Sequence, residues 1–172
     1  MTHSFAAAPW SPLLRLTSAL SLLLLLALSY AASRVIPAVA AAHLVGAVVA
    51  VLPLMIGMAA LLFVVNGYEI DARELRVQRL LWQTRVPLTG LQRVTLQPEL
   101  LKGSIRVVGN GGMLSFSGSY YRRDLGRYRA FITDWRKSVL LVTSGGAIAI
   151  SPADPAPLLH TLQLLYPAVK VI

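Results

Sequence analysis

The chain of 172 residues is 56% hydrophobic and only 13% charged, carries a formal net charge of +9 and has no cysteine. Ordinary globular chains are about 45–50% apolar and about 25% charged, so part of this one is built for lipid. The missing cysteine excludes disulfides, thiolate nucleophiles and cysteine metal sites. The apolar excess is local: residues 1–65 hold two basic residues, Arg15 and Arg34, and no acid, whereas residues 66–172 hold fourteen basic and seven acidic ones. The chain therefore divides into an apolar part, 1–65, and a basic, water-compatible domain, 66–172.

Eighteen uncharged residues separate Arg15 from Arg34. A helix needs about 20 apolar residues to cross about 30 Å of hydrocarbon, so a first span is expected over Leu13–Ala32. The uncharged stretch Val35–Tyr68 is too long for one straight crossing; it predicts a second span over Ala40–Val65, with Ser33–Pro37 as the turn. Backbone groups in lipid must bond internally, so both spans are helical and form a hairpin. Pro53 removes a bond to the carbonyl of Val49, and Gly57 eases the resulting bend. The pair reads either as a hinge or as the ordinary richness of membrane helices in these residues. Ala38, Ala42, Gly46 and Ala50 form a small-residue stripe that admits a close neighbour.

A competing reading makes the first segment a signal peptide, with Leu16–Leu28 as its apolar core and Ser29-Tyr30-Ala31 at the cleavage site. The long leading region with a single arginine favours retention. Arg73, Arg76, Arg79 and Arg85 follow the second span within about 20 residues, where positive charge sets orientation. The domain is thus expected on the cytoplasmic face of the inner membrane, with the N-terminus on the same side.

Beyond Tyr68 the apolar period falls to two. In "ELRVQRL", Leu75 and Val77 alternate with Arg76 and Gln78, as in a half-buried strand. "VTL" at 94–96 and "IRVV" at 105–108 are further strands. Asn110-Gly111 marks one hairpin turn and Gly145-Gly146 a second. Such short strands predict an antiparallel barrel or sandwich. In "SPADPAPLLHTLQLLYP", Asp154 is an N-cap and Pro155 suits the first helical position. Leu158, Leu159, Leu162 and Leu165 form one apolar face, ended by Pro167: a helix that caps the strands.

Strands followed by one capping helix resemble the pleckstrin-homology-like (PH-like) fold. "LGRYRAFIT" at 125–133, the hairpin after it, "ISPADP" at 150–155 and "RVPLTGLQRV" at 85–94 resemble a bacterial PH-like family attached to membrane helices, over about Asn66–Leu165. "FSGSYY" at 116–121 departs from the aromatic-glycine pairs associated with that family. The fold class implied is α+β: a two-helix membrane hairpin, then a PH-like β-module capped by a C-terminal helix. The resemblance implies a binding or scaffolding module and supplies no ligand.

No catalytic constellation accompanies this pattern. His3, His43 and His160 have no metal-ligand spacing, "GNGG" at 109–112 lacks the lysine of a phosphate loop, and no Gly-x-Ser-x-Gly elbow occurs. No cofactor or metal is expected. The one dense feature is "GSYYRRDLGRYRAF" at 118–131, expected as a surface loop between strands. Tyr120, Tyr121, Arg122, Arg123, Arg127 and Arg129, with Arg73, Arg76 and Arg79, are the candidate surface for anionic headgroups or a protein partner. The bland alternative is a solvated loop with Tyr128 and Phe131 in the core. A nucleic-acid surface is not expected, because the domain is tethered beside a membrane and carries no accompanying nucleic-acid signature. Only Asn66-Gly67 separates the second span from the first strand. Basic groups there sit within about one Debye length, about 8 Å, of the leaflet. Each is then worth about 1 kcal/mol near anionic lipid. Expected partners are membrane lipids and a protein in a membrane complex; the alternative role is an accessory or regulatory subunit of a transporter or envelope complex.

Overall fold

The computed structural model describes residues 2–35 and 43–171. The expected turn at Ser33–Pro37 lies partly outside them, and Ala38, Ala42 and the side chain of His43 lie outside altogether. Helices α1 (Pro12–Val35) and α2 (His43–Leu61) pack antiparallel. Ser29 Oγ donates to the carbonyl of Ala50 at 2.5 Å, and Gly57 is buried against Leu22 and Leu25. The small residues Gly57 and Ala50 thus let the helices approach closely. Both helices are long and apolar enough to cross a membrane, over Pro12–Arg34 and Leu44–Leu61, and most of their leucines and valines are exposed.

Among the described residues, eleven strands form two sheets. The first runs β1 (His3–Ala6), β2 (Gly67–Ile70), β3 (Glu74–Gln78), β4 (Gln83–Pro87), all antiparallel. The second contains β5 (Leu91–Leu96), β6 (Ile105–Gly111), β7 (Phe116–Arg122), β8 (Gly126–Ile132), β9 (Val139–Thr143), β10 (Gly146–Ile150) and β11 (Lys170–Val171), in the order β11-β5-β9-β10-β8-β7-β6. Two of its pairings, β10 with β8 and β11 with β5, are parallel. Helix α3 (Pro155–Leu165) follows β10. Of the two expected arrangements the sandwich is formed, not a closed barrel.

The alternation along the strands explains the two cores. Ile148 and Ile150 of β10, Val139 and Leu141 of β9 and Phe131 of β8 face the first sheet, where they meet Tyr68, Ile70, Leu75, Val77 and Val86. Leu158 and Leu162 of α3 close this core; each is fully buried, worth about 1.5–3 kcal/mol relative to exposure. Ala147, Ala149, Leu140, Tyr128, Ala130 and Ile132 face the other way, onto Leu14 and Leu100. Around β9 and β10 the second sheet is therefore buried on both faces, which is why these strands read as nearly continuous apolar runs.

Two expectations are corrected and one element is added. First, the added element: His3–Ala6 extend the first sheet by pairing with β2. Ala8 N–H then donates to Ser151 O at 2.8 Å and Thr133 Oγ1 donates to Ala8 O at 2.7 Å. Second, α2 ends at Leu61, four residues before the expected Val65, because the carbonyls of Leu62 and Phe63 are taken by side chains of the β3–β4 turn. Third, both hairpin turns are displaced. Asn110 lies in β6 opposite Ser117, and the turn is Gly112–Ser115; the β9–β10 turn is Ser144-Gly145, with Gly146 already paired to Thr143. The C-terminal helix follows expectation: Asp154 accepts from Ala156 N–H at 3.1 Å, and Pro155 opens the helix.

Candidate binding surface and the helix–sheet junction

The predicted surface loop at 118–131 is a hairpin instead. Tyr120, Tyr121 and Arg122 lie in β7 and Arg127 to Phe131 in β8, joined by the turn Arg123–Leu125. Strand alternation then separates the cluster. Tyr120 is 5% exposed and stacks on buried Tyr128, with centroids 5.9 Å apart. Tyr120 Oη donates to Asn110 O at 2.9 Å, and Tyr128 Oη donates to Ser104 Oγ at 2.8 Å. Burial pushes the Tyr120 hydroxyl up to about 12 and Tyr128 upward as well. Neither ring is a surface group, which corrects the expectation for Tyr120. On the other face, Tyr121 lies opposite Arg127, and Ser119 opposite Arg129. Arg122 pairs with Asp124 at 2.8 Å. Arg123, Arg127 and Arg129 are exposed.

The first-sheet arginines are equally divided. Arg73 is exposed. Arg76 is held by Glu74 at 2.5 Å, Asp71 at 3.1 Å and Glu69 at 4.0 Å, so its charge is compensated. Asp71 accepts from the N–H groups of Arg73 and Glu74 at 2.8 and 2.9 Å. These bonds, with Arg76 nearby, hold its carboxyl below the ordinary range. Arg79 is only 8% exposed. Its Nη1 donates to Phe63 O at 2.5 Å and its Nε to Thr84 Oγ1 at 2.9 Å, and the guanidinium lies 4.9 Å from the Trp82 ring, 5.4 Å from Phe63 and 5.5 Å from Phe131. Trp82 Nε1 donates to Leu62 O at 2.9 Å. Two carbonyls just past α2 thus receive donors, one of them cationic, where the helix dipole is negative.

The β6–β7 turn is wedged into the same junction. Gly112 O accepts from Thr17 Oγ1 at 2.7 Å, Leu114 N–H donates to Ser18 Oγ at 2.8 Å, and Ser115 Oγ donates to Phe63 O at 3.0 Å. The opposite turn, Arg123–Leu125, lies the whole length of β7 away, about 20 Å at about 3.3 Å per residue. Arg122, Arg123 and Arg127 are therefore remote from the helix ends, and Arg129 is nearer. Sequence reasoning missed the exposed residues Leu80, Leu81 and Trp82 at the junction. Their signal was legible: three consecutive apolar residues occupy a turn, where polar ones are usual.

The described residues thus form a double-sheet sandwich closed by one helix and attached to two apolar helices, and they hold no cluster of metal-binding side chains. The model of the bacterial PH domain family matches residues 66–165, and the chain belongs to that family. No curated protein and no solved structure matches the chain. The motifs that carried the resemblance have a structural reason. Ser151 of "ISPADP" accepts from Thr133 N–H at 2.8 Å, and its own N–H donates to Tyr68 Oη at 3.1 Å. Tyr68 Oη in turn donates to Phe131 O at 2.6 Å. This buried network ties the two sheets at the start of α3.

Proposed function

We propose that the protein is a membrane-anchored, non-catalytic binding module whose β-sandwich rests on the cytoplasmic leaflet of the inner membrane, oriented by anionic headgroups. One observation carries this reading: the turn Leu80-Leu81-Trp82 is 55%, 77% and 42% exposed and is bonded to the end of α2. Three exposed apolar side chains at the foot of a membrane helix belong in the bilayer interface, where tryptophan concentrates. Exposed Arg15 lies in the first turn of α1, and exposed Arg85 lies in β4, three residues past Trp82. Each cation near anionic lipid contributes about 1 kcal/mol, above RT of about 0.6 kcal/mol, which sets tilt rather than recruitment. Orientation rests on Arg73, Arg76, Arg79 and Arg85, since the charge rule counts arginines close to a span and gives acids little weight.

The full chain reconstituted in vesicles containing brominated lipid tests this. With Trp10 and Trp135 changed to Phe, emission from Trp82 should be quenched, and Leu80→Asp with Leu81→Asp should relieve the quenching. A cysteine at position 123 of this cysteine-free chain should be unreactive to an impermeant maleimide in intact spheroplasts and reactive after lysis. Unquenched Trp82, or labelling from outside, defeats the proposal.

A second reading, an accessory subunit of a membrane complex, is favoured by β6. This strand is an edge of the second sheet and exposes Ile105 at 67%, Val107 at 40% and Val108 at 67%. Apolar edges of this kind accept a strand from another chain. Cross-linking from position 107 in cells should then capture one protein in fixed proportion, and Val107→Pro should abolish the capture.

A further inference from the structure

A groove of about 840 Å³ opens between the end of α2 and the exposed face of β6, β7 and β8. One wall is the last two turns of α2, Ile56, Ala59 and Ala60; the other carries Arg79 and Arg129. Its floor crosses Gly109 and Gly118, which face one another in the β6–β7 ladder. Both have positive φ, 118° and 144°, and a Cβ on either would strike the opposing strand's backbone. The floor is thus bare backbone, open to close approach.

The charge of this groove is unbalanced. Buried cations are ordinarily paired, because an uncompensated buried charge is costly; Arg79 is buried, and Arg129 is exposed. Neither Arg79 nor Arg129 belongs to an ion pair among the described residues. The two guanidiniums lie 5.5 and 5.2 Å from the same Phe131 ring. Arg79 is held below its ordinary pKa by burial and further by the positive charge of Arg129. Aromatic faces offset part of this charge; a carboxylate is missing.

We propose that the groove holds one anionic phospholipid, its phosphate between Arg79 and Arg129 and an acyl chain against Ile56 and Ala60. The apolar wall belongs to the membrane-crossing window of α2, so a tail leaves the groove directly into the bilayer. Guanidinium–phosphate hydrogen bonds are charge-assisted and bidentate, and here they would join buried Arg79 to exposed Arg129. The assignment rests on the module lying against the leaflet, and it adds a stoichiometric site to the general headgroup attraction.

The test is native mass spectrometry of the full chain released from vesicles of equal phosphatidylglycerol and phosphatidylcholine. One phosphatidylglycerol per chain should be retained in preference. Arg129→Gln, at an exposed position that leaves the core intact, should weaken that preference about tenfold, and Arg93→Gln, outside the groove, should leave it unchanged. Ala60→Trp, which fills the apolar wall, should expel lipid of both kinds. Equal retention of the two lipids, insensitivity to Arg129→Gln, or equal displacement by tail-less glycerol phosphate overturns the assignment. Quenching of Trp82 by brominated lipid separates the two proposals: if quenching persists while the stoichiometric lipid is absent, the groove fails and the interfacial orientation stands.

Discussion

Arg79 donates its Nη1 hydrogen to the carbonyl oxygen of Phe63 at 2.5 Å, joining the β3–β4 turn to the chain just beyond α2. The same guanidinium bonds Thr84 and lies over three aromatic rings. Arg79→Ala should cost about 2–3 kcal/mol, the sum of a charged hydrogen bond and ring contacts. Tryptophan-detected denaturation of the full chain in detergent measures it. Arg79→Lys should recover only part, because an ammonium lacks the planar fork that reaches both acceptors.

Tyr68 predicts an alkaline limit. Its hydroxyl is fully buried, and burial raises it from 10.0 to about 12. The folded state therefore prefers the neutral phenol. Stability from this group is complete below about pH 10 and is lost as pH rises from about 10 to about 12, by up to about 1.4 kcal/mol per pH unit. Tyr68→Phe should flatten that slope by one proton. At neutral pH it should cost about 1–3 kcal/mol, since Ser151 N–H and Phe131 O lose a partner. Denaturation midpoints between pH 8 and 11 distinguish the two effects.

Two glycines with positive φ should respond differently to alanine. At Gly118, φ 144°, a Cβ meets the carbonyl of Val108 and Gly109 Cα across the ladder. At Gly126, φ 76°, nothing lies within 4 Å. Gly126→Ala should cost about 1–2 kcal/mol, the left-handed penalty alone. Gly118→Ala should cost more and should disturb the β6–β7 pairing, visible as faster amide exchange in Ser117–Ser119.

Deleting residues 3–8 should loosen the module although they precede both helices. The deletion removes β1 and the bonds from Ala8 to Ser151 and Thr133, at about 1 kcal/mol per hydrogen bond plus the lost packing of Phe5 and Ala7. A lower melting temperature and faster proteolysis near Tyr68 are the expected readouts. No change would show that the strand contributes nothing.

Local chemistry carried the elements it controls. The period-two pattern of Leu75 and Val77, the cap at Asp154 and the leucine face of α3 are set by neighbours a few residues away, and each was legible. Arg79, Tyr120 and β1 were not, for a common physical reason. An arginine in "VQRLL" looks solvated until the end of α2 and three rings are brought around it. Tyr120 turns inward because register with β8 pairs it with Tyr128. His3–Ala6 has too little apolar alternation to announce a strand; its partner, β2, lies beyond the helical hairpin. The arginine cluster was legible as composition, but its division into near and remote positions depends on which end of β7 meets the helices.

The pairing of β1 with β2 also orders assembly during synthesis. The first strand leaves the ribosome long before its partner and cannot bond it until both apolar helices have been made. Once they pack against each other, their antiparallel register delivers the two flanking tails to the same spot, so the entropy of closing so long a loop is largely met in advance. Completion of the four-stranded sheet is thereby coupled to the packing of α1 against α2.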